Sequence, residues 1–220
     1  MKPFSKFKWL WAIGVIALLI VSCWALILLS SYFAGYVVRG TRPIPGDASK
    51  FDAFASLPQI EQFAGANEQL LRIDMEYVKA DGTLDLTANY GEQVIYQFAH
   101  VLDATPSNAA PLGAGGSSPS GTYAEQVTVT LSQPRAAGTT HDQYYNFGMV
   151  RSNSPAEALT QTIIPAPTCS LKQLWDTAIK RDAPANAVAV IDYDSSGYDF
   201  NIDAANIHLT FDTTCQLVSQ

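Results

Sequence analysis

Basic side chains are scarce beyond the first 42 residues of this sequence. Only eight of the 13 Lys and Arg residues follow residue 42, whereas all 20 Asp and Glu residues do, which leaves that part with a net charge of −12. Binding to phosphate backbones needs a concentrated basic face, and no stretch of this acidic part supplies one. The composition therefore predicts that nucleic acid is not a partner.

The sequence also lacks the motifs of the common catalytic and cofactor sites. It contains no G-x-S-x-G, no glycine fingerprint for phosphates or dinucleotides and no C-x-x-C. Its only histidines are His100, His141 and His208, and no recognisable spacing places a nucleophile beside them. We expect no cofactor and no catalytic residue. The alternative is an enzyme whose site assembles from scattered residues, with one of these histidines among converging titratable groups.

Cysteine is almost absent from the chain. Cys23 lies within an apolar N-terminal run, while Cys169 and Cys215 flank a segment near the C-terminus. A zinc site needs four ligands, which two cysteines and scattered histidines do not supply. We predict a structural disulfide between Cys169 and Cys215, which requires an oxidising compartment. A pair of unlinked buried thiols is the alternative.

Charged side chains are missing altogether from residues 9–38, a continuous apolar run. About 20 apolar residues are enough for a helix to cross a bilayer. Aromatic side chains suited to the two membrane interfaces stand at both ends of the run: Trp9, Trp11, Tyr32, Phe33 and Tyr36. We predict a single, uncleaved transmembrane helix at 9–38 that contacts membrane lipid.

Two alternatives to this helix stay open. A cleaved secretory signal has an apolar region of about 7 to 15 residues, which is roughly half of this run. A lipoprotein signal is indicated by residues 20–23, in which Cys23 would carry the lipid, although apolar sequence continues beyond it.

The flanking charges predict the orientation of the chain. Basic residues in the segment 1–8 favour a cytoplasmic tail, and the acidic remainder favours an extracytoplasmic body, in a bacterial inner membrane facing the periplasm. Residues 39–50 contain Pro43, Pro45 and Gly46, which cannot continue a helix, so they predict a short stalk.

The fold class expected beyond the stalk is α+β, with two helix-plus-antiparallel-meander units. In the first unit, residues 51–103, Ser56 and Gln59 have the spacing of a capping box. Alternation of apolar and polar residues then predicts three strands, around 71–77, 84–86 and 94–98.

The second unit, residues 169–220, repeats this order. Ser170 and Gln173 form a capping box, and an amphipathic helix with Trp175 on its apolar face follows. Three strands are predicted here too, around 188–190, 200–202 and 207–211. Whether the two units arose by duplication is left open by their few shared residues.

The segment between the units has two parts. Residues 104–121 are rich in Gly, Ser and Pro and predict a flexible loop. Residues 122–168 predict a β-hairpin, in which a strand at 123–132 pairs with one at 144–150, followed by a proline-containing connection.

The stretch 192–203 has the spacing of a calcium-binding loop, with Gly197 at the turn position. Four side chains fall at ligand positions: Asp192, Asp194, Ser196 and Asp203. However, the flanks are strand-like, whereas this motif joins two helices. We predict a β-hairpin with its tip at residues 195–197 and no metal, and we keep these four residues as weak candidates for calcium.

These features predict a single-pass membrane protein whose extracytoplasmic domain is a non-enzymatic binding or accessory module of the cell envelope. Its partner is expected to be a protein, a peptide or another envelope component. A calcium-responsive adhesion or sensor domain and an envelope enzyme are the alternatives. A binding module is expected to show an exposed apolar patch or an open sheet edge.

Overall fold

The computed structural model describes residues 22–24, 42–88, 93–103, 122–132 and 148–219. The chain divides into two units, Met1–Gly40 and Thr41–Gln220. Of the first unit, residues 22–24 are described, and they are helical. Among the described residues, no helix combines the length and apolarity that crossing a membrane requires. The rest of the span predicted at 9–38 lies outside them.

The second unit is α+β, as expected, and is dominated by antiparallel strands. Two short α-helices are described, α1 at Leu57–Ala64 and α2 at Leu171–Ile179. Single 3₁₀ turns form at Ala48–Lys50 and Asp203–Ala205. The strands are β1 (Glu68–Lys79), β2 (Gln93–Val101), β3 (Tyr123–Ser132), β4 (Gly148–Asn153), β5 (Glu157–Ala158), β6 (Val188–Asp194), β7 (Gly197–Ile202), β8 (Ile207–Phe211) and β9 (Leu217–Ser219).

These strands form one sheet in the order β4-β3-β2-β1-β6-β7-β8-β9, with β5 beside β3. Each described pair is antiparallel. The pair β1–β6 joins two halves, and in each half the later strands are added outwards. The strand order therefore reads the same from the centre in both directions.

One face of the sheet packs on both helices to form the core. Along each strand, alternate residues are buried, because successive side chains point to opposite faces of a sheet. Trp175 of α2 is fully buried, and its ring lies edge-on to Phe200 of β7, with 5.1 Å between ring centroids. The interpretation of Trp175 as a core residue is confirmed.

The two predicted capping boxes differ in outcome. Ser170 caps α2 as expected, since its Oγ accepts a hydrogen bond from the Gln173 amide at 3.1 Å. Ser56 makes no side-chain cap, so that prediction is wrong. Its backbone is already helical because Asp52 organises the preceding turn, accepting hydrogen bonds from the amides of Phe54 and Ala55.

The predicted strand at 84–86 is also wrong. Leu84 forms a single antiparallel bridge with Phe51, and β1 pairs directly with β2. Leu84 and Leu86 are both fully buried. The apolar alternation here therefore comes from two side chains that pack into the core, although the segment does not form a strand of the sheet. The strand that follows β2 in the sheet is β3, from the segment that we had expected to be a separate hairpin.

The C-terminal half has the three strands expected and a fourth, β9, that the sequence did not predict. β6, β7 and β8 form the predicted meander after α2. The predicted pairing of β3 with a strand at 144–150 is confirmed for Gly148–Val150, and β4 runs on to Asn153; residues 144–147 lie outside the described residues. The predicted loop at 104–121 and His141 lie outside the described residues.

Candidate functional site

The face of the sheet opposite the helices carries polar side chains along its central strands, while at one end Leu71, Ala99 and Ala124 are buried there with Leu159 packed against them. Its side chains are the alternate residues that do not enter the core, and most of them are half-buried by their strand neighbours. Neither α1 nor α2 packs on this side, since both contribute to the core cluster. We call this surface the open face.

Three aspartates lie side by side at the centre of the open face. Asp74 of β1 is directly opposite Asp192 of β6, and Asp192 is directly opposite Asp199 of β7. Directly opposed residues of antiparallel strands have Cβ atoms about 4.5 to 5.5 Å apart, and like charges at that distance repel. We call Asp74, Asp192 and Asp199 the aspartate row.

The ionised form of Asp192, the central residue of this row, is destabilised by its surroundings. Burial raises the pKa of Asp192 to about 6, and the neighbouring Asp74 adds to the rise, while Arg72 opposes it. Neutral Asp192 is therefore favoured over the carboxylate more strongly than in an isolated aspartate.

The Arg72 guanidinium offsets part of the negative charge of the row. Arg72 donates from Nε to Asp74, and its Nη2 lies 3.4 Å from Asp192 Oδ2. The hydrogen bond to Asp74 is the main reason that the pKa of Arg72 is raised. At the other end of the row, His208 Nε2 lies 3.1 Å from Asp199 Oδ1.

Amide side chains extend the polar network towards β3. Gln97 Nε2 donates to Asp74 Oδ2 at 3.5 Å, and Gln126 Nε2 donates to Gln97 Oε1 at 2.9 Å. Two residues beyond Asp74 in β1, Glu76 Oε1 accepts a hydrogen bond from Gln93 Nε2 at 3.1 Å. These contacts hold the carboxylates in place on the open face.

A β-bulge in β1 presents an aromatic side chain next to the row. The register of β1 against β6 shifts between Met75 and Val78, which leaves Glu76 and Tyr77 opposite Val190. Tyr77 has φ +63°, in the left-handed region that bulky side chains rarely adopt. Backbone strain of this kind is often retained where it positions a functional side chain.

Tyr77 is part of an exposed apolar patch. Tyr77, Val188 and Val190 are 38%, 40% and 38% exposed, in contrast to the fully buried apolar residues of the core face. Val188 and Val190 lie on the same face of β6 as Asp192. We call these three residues the apolar patch. The open face thus offers carboxylates and apolar side chains on adjacent positions of the same strands.

Two of the residues considered for calcium, Asp194 and Asp203, accept hydrogen bonds from different neighbours. Asp194 Oδ1 accepts hydrogen bonds from the amide and hydroxyl of Ser196, and Asp203 accepts one from Asn201 Nδ2. The predicted hairpin is confirmed, since Asp194 pairs with Gly197 at its end. Within the described ranges, no three His, Cys, Asp or Glu side chains form a group that could hold a metal ion.

A second cluster of titratable groups lies at the edge of the core face. Glu68 Oε1 is 3.3 Å from His100 Nδ1 and 3.8 Å from Arg151 Nη2. The Glu68 side chain is only 4% exposed, and its Oε2 has no hydrogen-bond partner among the described residues. Burial raises the pKa of Glu68, although His100 and Arg151 both oppose this rise.

This cluster ties four elements together. Glu68, His100 and Arg151 belong to β1, β2 and β4, and Arg151 Nε also donates to the carbonyl oxygen of Ala64 at the end of α1. His100 lies near the end of β2, and its contact with Glu68 could not be predicted from sequence because it follows from the register of β1 against β2.

The disulfide between Cys169 and Cys215 is present, with 5.7 Å between the Cα atoms. Cys169 precedes α2 and Cys215 follows β8, so the bond closes the C-terminal half of the sheet onto its helix. Tyr198 Oη accepts hydrogen bonds from the amides of Thr168 and Cys169, which fixes the same junction.

Comparison with known proteins finds no matching family model, no matching curated protein and no matching solved structure. The function is therefore argued from the residues of this chain alone.

Proposed function

We propose that this chain is a membrane-anchored, non-enzymatic binding module of the cell envelope, and that its open face binds another protein. Residues 9–38 serve as the anchor in membrane lipid, with the N-terminus in the cytoplasm and the sheet outside it. Residues 39–50 lead from the anchor into the body, on which they pack from Arg42 onwards, since Arg42 pairs with Met149 and Ala48 packs against the core. The support for this arrangement is the uncharged apolar run and the acidic composition of the body.

The observation that carries the proposal is the composition of the open face. A sheet face that serves only as solvent-exposed surface needs no opposed carboxylates and no strained, exposed tyrosine. The open face has both, within neighbouring positions of β1 and β6. Exposed apolar residues bordered by charged side chains are typical of protein-binding surfaces.

The geometry at His100, one of the two described histidines, supports the non-enzymatic part of the proposal; the other, His208, lies beside Asp199 on the open face. The acidic neighbour of His100, Glu68, is sealed beneath the sheet edge with 4% of its side chain exposed, so it is not placed to touch a substrate. The contacts of Glu68 instead join strands to the end of α1, which is a structural role.

The strand order supports two related halves, a finer organisation that we propose for the body. α1 precedes β1 to β4, and α2 precedes β6 to β9, and the halves meet at β1–β6. In this interpretation the first unit extends through β4 instead of ending near residue 103. The aspartate row then crosses the junction between the halves, because Asp74 belongs to one half and Asp192 to the other.

Site-specific photo-cross-linking in native membranes tests the proposal. A photoreactive amino acid is introduced into the full chain at Thr130 or Thr210 on the open face, and at Gln173 on the exposed side of α2 as the matched control. We expect protein adducts from Thr130 and Thr210 and none from Gln173. Adducts from Gln173 alone, or from none of the three positions, would overturn the assignment of the open face.

A further inference from the structure

We propose that the partner presents a cationic, strand-like segment to the open face, with Lys or Arg side chains over the aspartate row and an apolar side chain against Tyr77. This inference deepens the proposed function and rests on it, since it names the chemistry of the protein that the open face binds. It is carried by charge complementarity together with the separate apolar patch.

The charge balance of the open face is the first step. Five carboxylates project from its central strands: Asp74, Glu76, Asp192, Asp194 and Asp199. Against them the same strands supply Arg72 and Lys79. Lys79 lies 3.5 Å from Asp85 in the turn after β1, which leaves Arg72 as the cation at the row. Excess negative charge on a partly desolvated surface favours a cationic partner.

Arg72 shows how a guanidinium fits the row. It contacts Asp74 and Asp192 together, so one cation relieves the repulsion between two opposed carboxylates. Asp199, the third member, lies 3.1 Å from His208 and forms no ion pair with a Lys or Arg among the described residues. A second cation placed between Asp192 and Asp199 would repeat the arrangement that Arg72 makes between Asp74 and Asp192.

The apolar patch extends the site beyond charge. Val190 lies two residues before Asp192 on the same face of β6, and Tyr77 lies opposite Val190. In an extended partner, side chains two residues apart lie on one face at a spacing of about 6 to 7 Å. A segment in which a basic and an apolar residue stand two positions apart presents both side chains on one face, and therefore matches a carboxylate of the row and the patch at once.

A polypeptide fits this surface better than a small cation. The row spans three strands, roughly 10 Å at about 4.8 Å between strands. A single ion cannot contact all three carboxylates across that span and gains nothing from Tyr77, Val188 or Val190. Nucleic acid is disfavoured by the charge of the face.

Fluorescence anisotropy with defined probes tests the inference on the full chain in detergent micelles. The probes are labelled peptides of about nine residues, an extended length of roughly 30 Å. One repeats Lys-Ser-Val-Ser, so that Lys and Val share a face (the Lys–Val peptide). In the second, Glu replaces Lys (the Glu–Val peptide), and in the third, Ser replaces Val (the Lys–Ser peptide). We expect the Lys–Val peptide to bind most tightly, the Lys–Ser peptide more weakly and the Glu–Val peptide not at all.

Two sets of variants locate the binding. Asp192→Asn/Asp199→Asn should weaken the Lys–Val peptide about tenfold, as for the loss of two partly screened charge contacts. Asp103→Asn/Asp176→Asn removes the same charge from exposed sites outside the open face and should change the affinity less than about twofold. Tyr77→Asn tests the patch, because Asn tolerates positive φ, and should weaken the Lys–Val peptide while leaving the Lys–Ser peptide unchanged.

The outcomes separate this inference from the proposed function. Equal binding of the Lys–Val and Glu–Val peptides, or equal effects of the two double variants, would refute a cationic partner. So would displacement of the Lys–Val peptide by about 5 mM Ca²⁺ but not by Mg²⁺, which would assign the row to an ion. If cross-links form at Thr130 and Thr210 while no basic peptide binds, the open face still binds a protein and only the partner's chemistry is wrong. Should Asp192→Asn/Asp199→Asn lose its circular dichroism spectrum, Asp199→Asn alone replaces it.

Discussion

Asp74 and Asp192 face each other directly across the β1–β6 pair, at the junction between the two halves of the sheet. The arrangement is unfavourable for two carboxylates, and Arg72 contacts both of them. A sheet that retained these residues for stability alone would be better served by a neutral side chain at one of the two positions.

The first prediction is that Asp192→Asn stabilises the fold at neutral pH. The folded pKa of Asp192 is raised to about 6 from 3.8, so its contribution to stability is present below about pH 4 and is lost as the pH rises through 6. We expect the variant to unfold with a free energy roughly 1 kcal/mol higher at pH 7 and equal to wild type near pH 4. Urea denaturation across this pH range measures the difference. Asp103→Asn is the control and should show no such pH-dependent gain; a loss of stability in Asp192→Asn at pH 7 would mean that the contact with Arg72 outweighs the repulsion.

The second prediction concerns binding and follows from the same carboxyl. As the pH falls from about 7.5 to 5, Asp192 takes up a proton and the row loses a charge, so the Lys–Val peptide should bind roughly three- to tenfold more weakly. The other charged groups facing Asp192 are Asp74, Asp199 and Arg72, with His208 beside Asp199. His208→Gln, which removes the imidazole beside Asp199, is the control and should keep the pH dependence that Asp192→Asn removes. An unchanged affinity in wild type over this range would contradict the prediction.

The C-terminal half could be predicted from sequence because its signals are local. The helix cap joins Ser170 to Gln173, only three residues further on, and β6, β7 and β8 follow one another along the chain with short connections. In the N-terminal half the same alternation was misleading at Leu84 and Leu86. Asp81 and Asp85 each accept hydrogen bonds two residues on, from Thr83 and Thr87, which curls this segment into turns.

The candidate site could not be predicted because it depends on register between distant strands. The alternation of Arg72, Asp74 and Glu76 indicated a polar face, but only the pairing of β1 with β6 places Asp74 against Asp192. The bulge that exposes Tyr77 left no sequence signal either, since no glycine or proline marks it. Residue identity predicts which face a side chain takes, whereas the neighbours across strands come from the topology.

The third prediction tests the edge of the sheet at β4. Arg42 and Met149 exchange two backbone hydrogen bonds, so the chain just before the body covers this edge. Gly148 has φ +89°, and a Cβ there would lie 2.1 Å from the carbonyl oxygen of Arg42. Gly148→Ala should therefore displace residues 42–43 and lower the free energy of unfolding by about 2 to 4 kcal/mol.

Gly46 provides the matched control for this variant. It also has a positive φ, +72°, but a Cβ there would meet nothing within 4 Å. Gly46→Ala should cost only about 1 kcal/mol, the penalty for the backbone conformation. Thermal unfolding of both variants measures the difference, and equal losses would show that contact between Arg42 and Gly148 contributes nothing.

The fourth prediction is that the disulfide stabilises the C-terminal half. Cys169 and Cys215 are 46 residues apart. A cross-link that closes a loop of this length lowers the entropy of the unfolded chain and so stabilises the fold by roughly 3 to 4 kcal/mol. Cys169→Ser/Cys215→Ser should lower the free energy of unfolding by about this amount, which urea denaturation measures. Wild type treated with dithiothreitol should match the double variant, and Cys23→Ser, which leaves the bond intact, should match untreated wild type.

The fifth prediction concerns Glu68, the buried carboxyl at the start of β1. Burial raises the pKa of Glu68, so its stabilising contribution is present below the ordinary value of 4.5 and is lost as the pH rises through the raised value. Glu68→Gln keeps the shape of the side chain without the charge. We expect it to exceed wild type in unfolding free energy at pH 7.5, by about 1 kcal/mol, and to equal it near pH 4. The comparison variant is Glu125→Gln, which neutralises the carboxylate on the adjacent strand opposite His100 and should not produce this crossover. A Glu68→Gln protein that is less stable than wild type at pH 7.5 would show instead that Glu68 is held as an ion pair with Arg151 and His100.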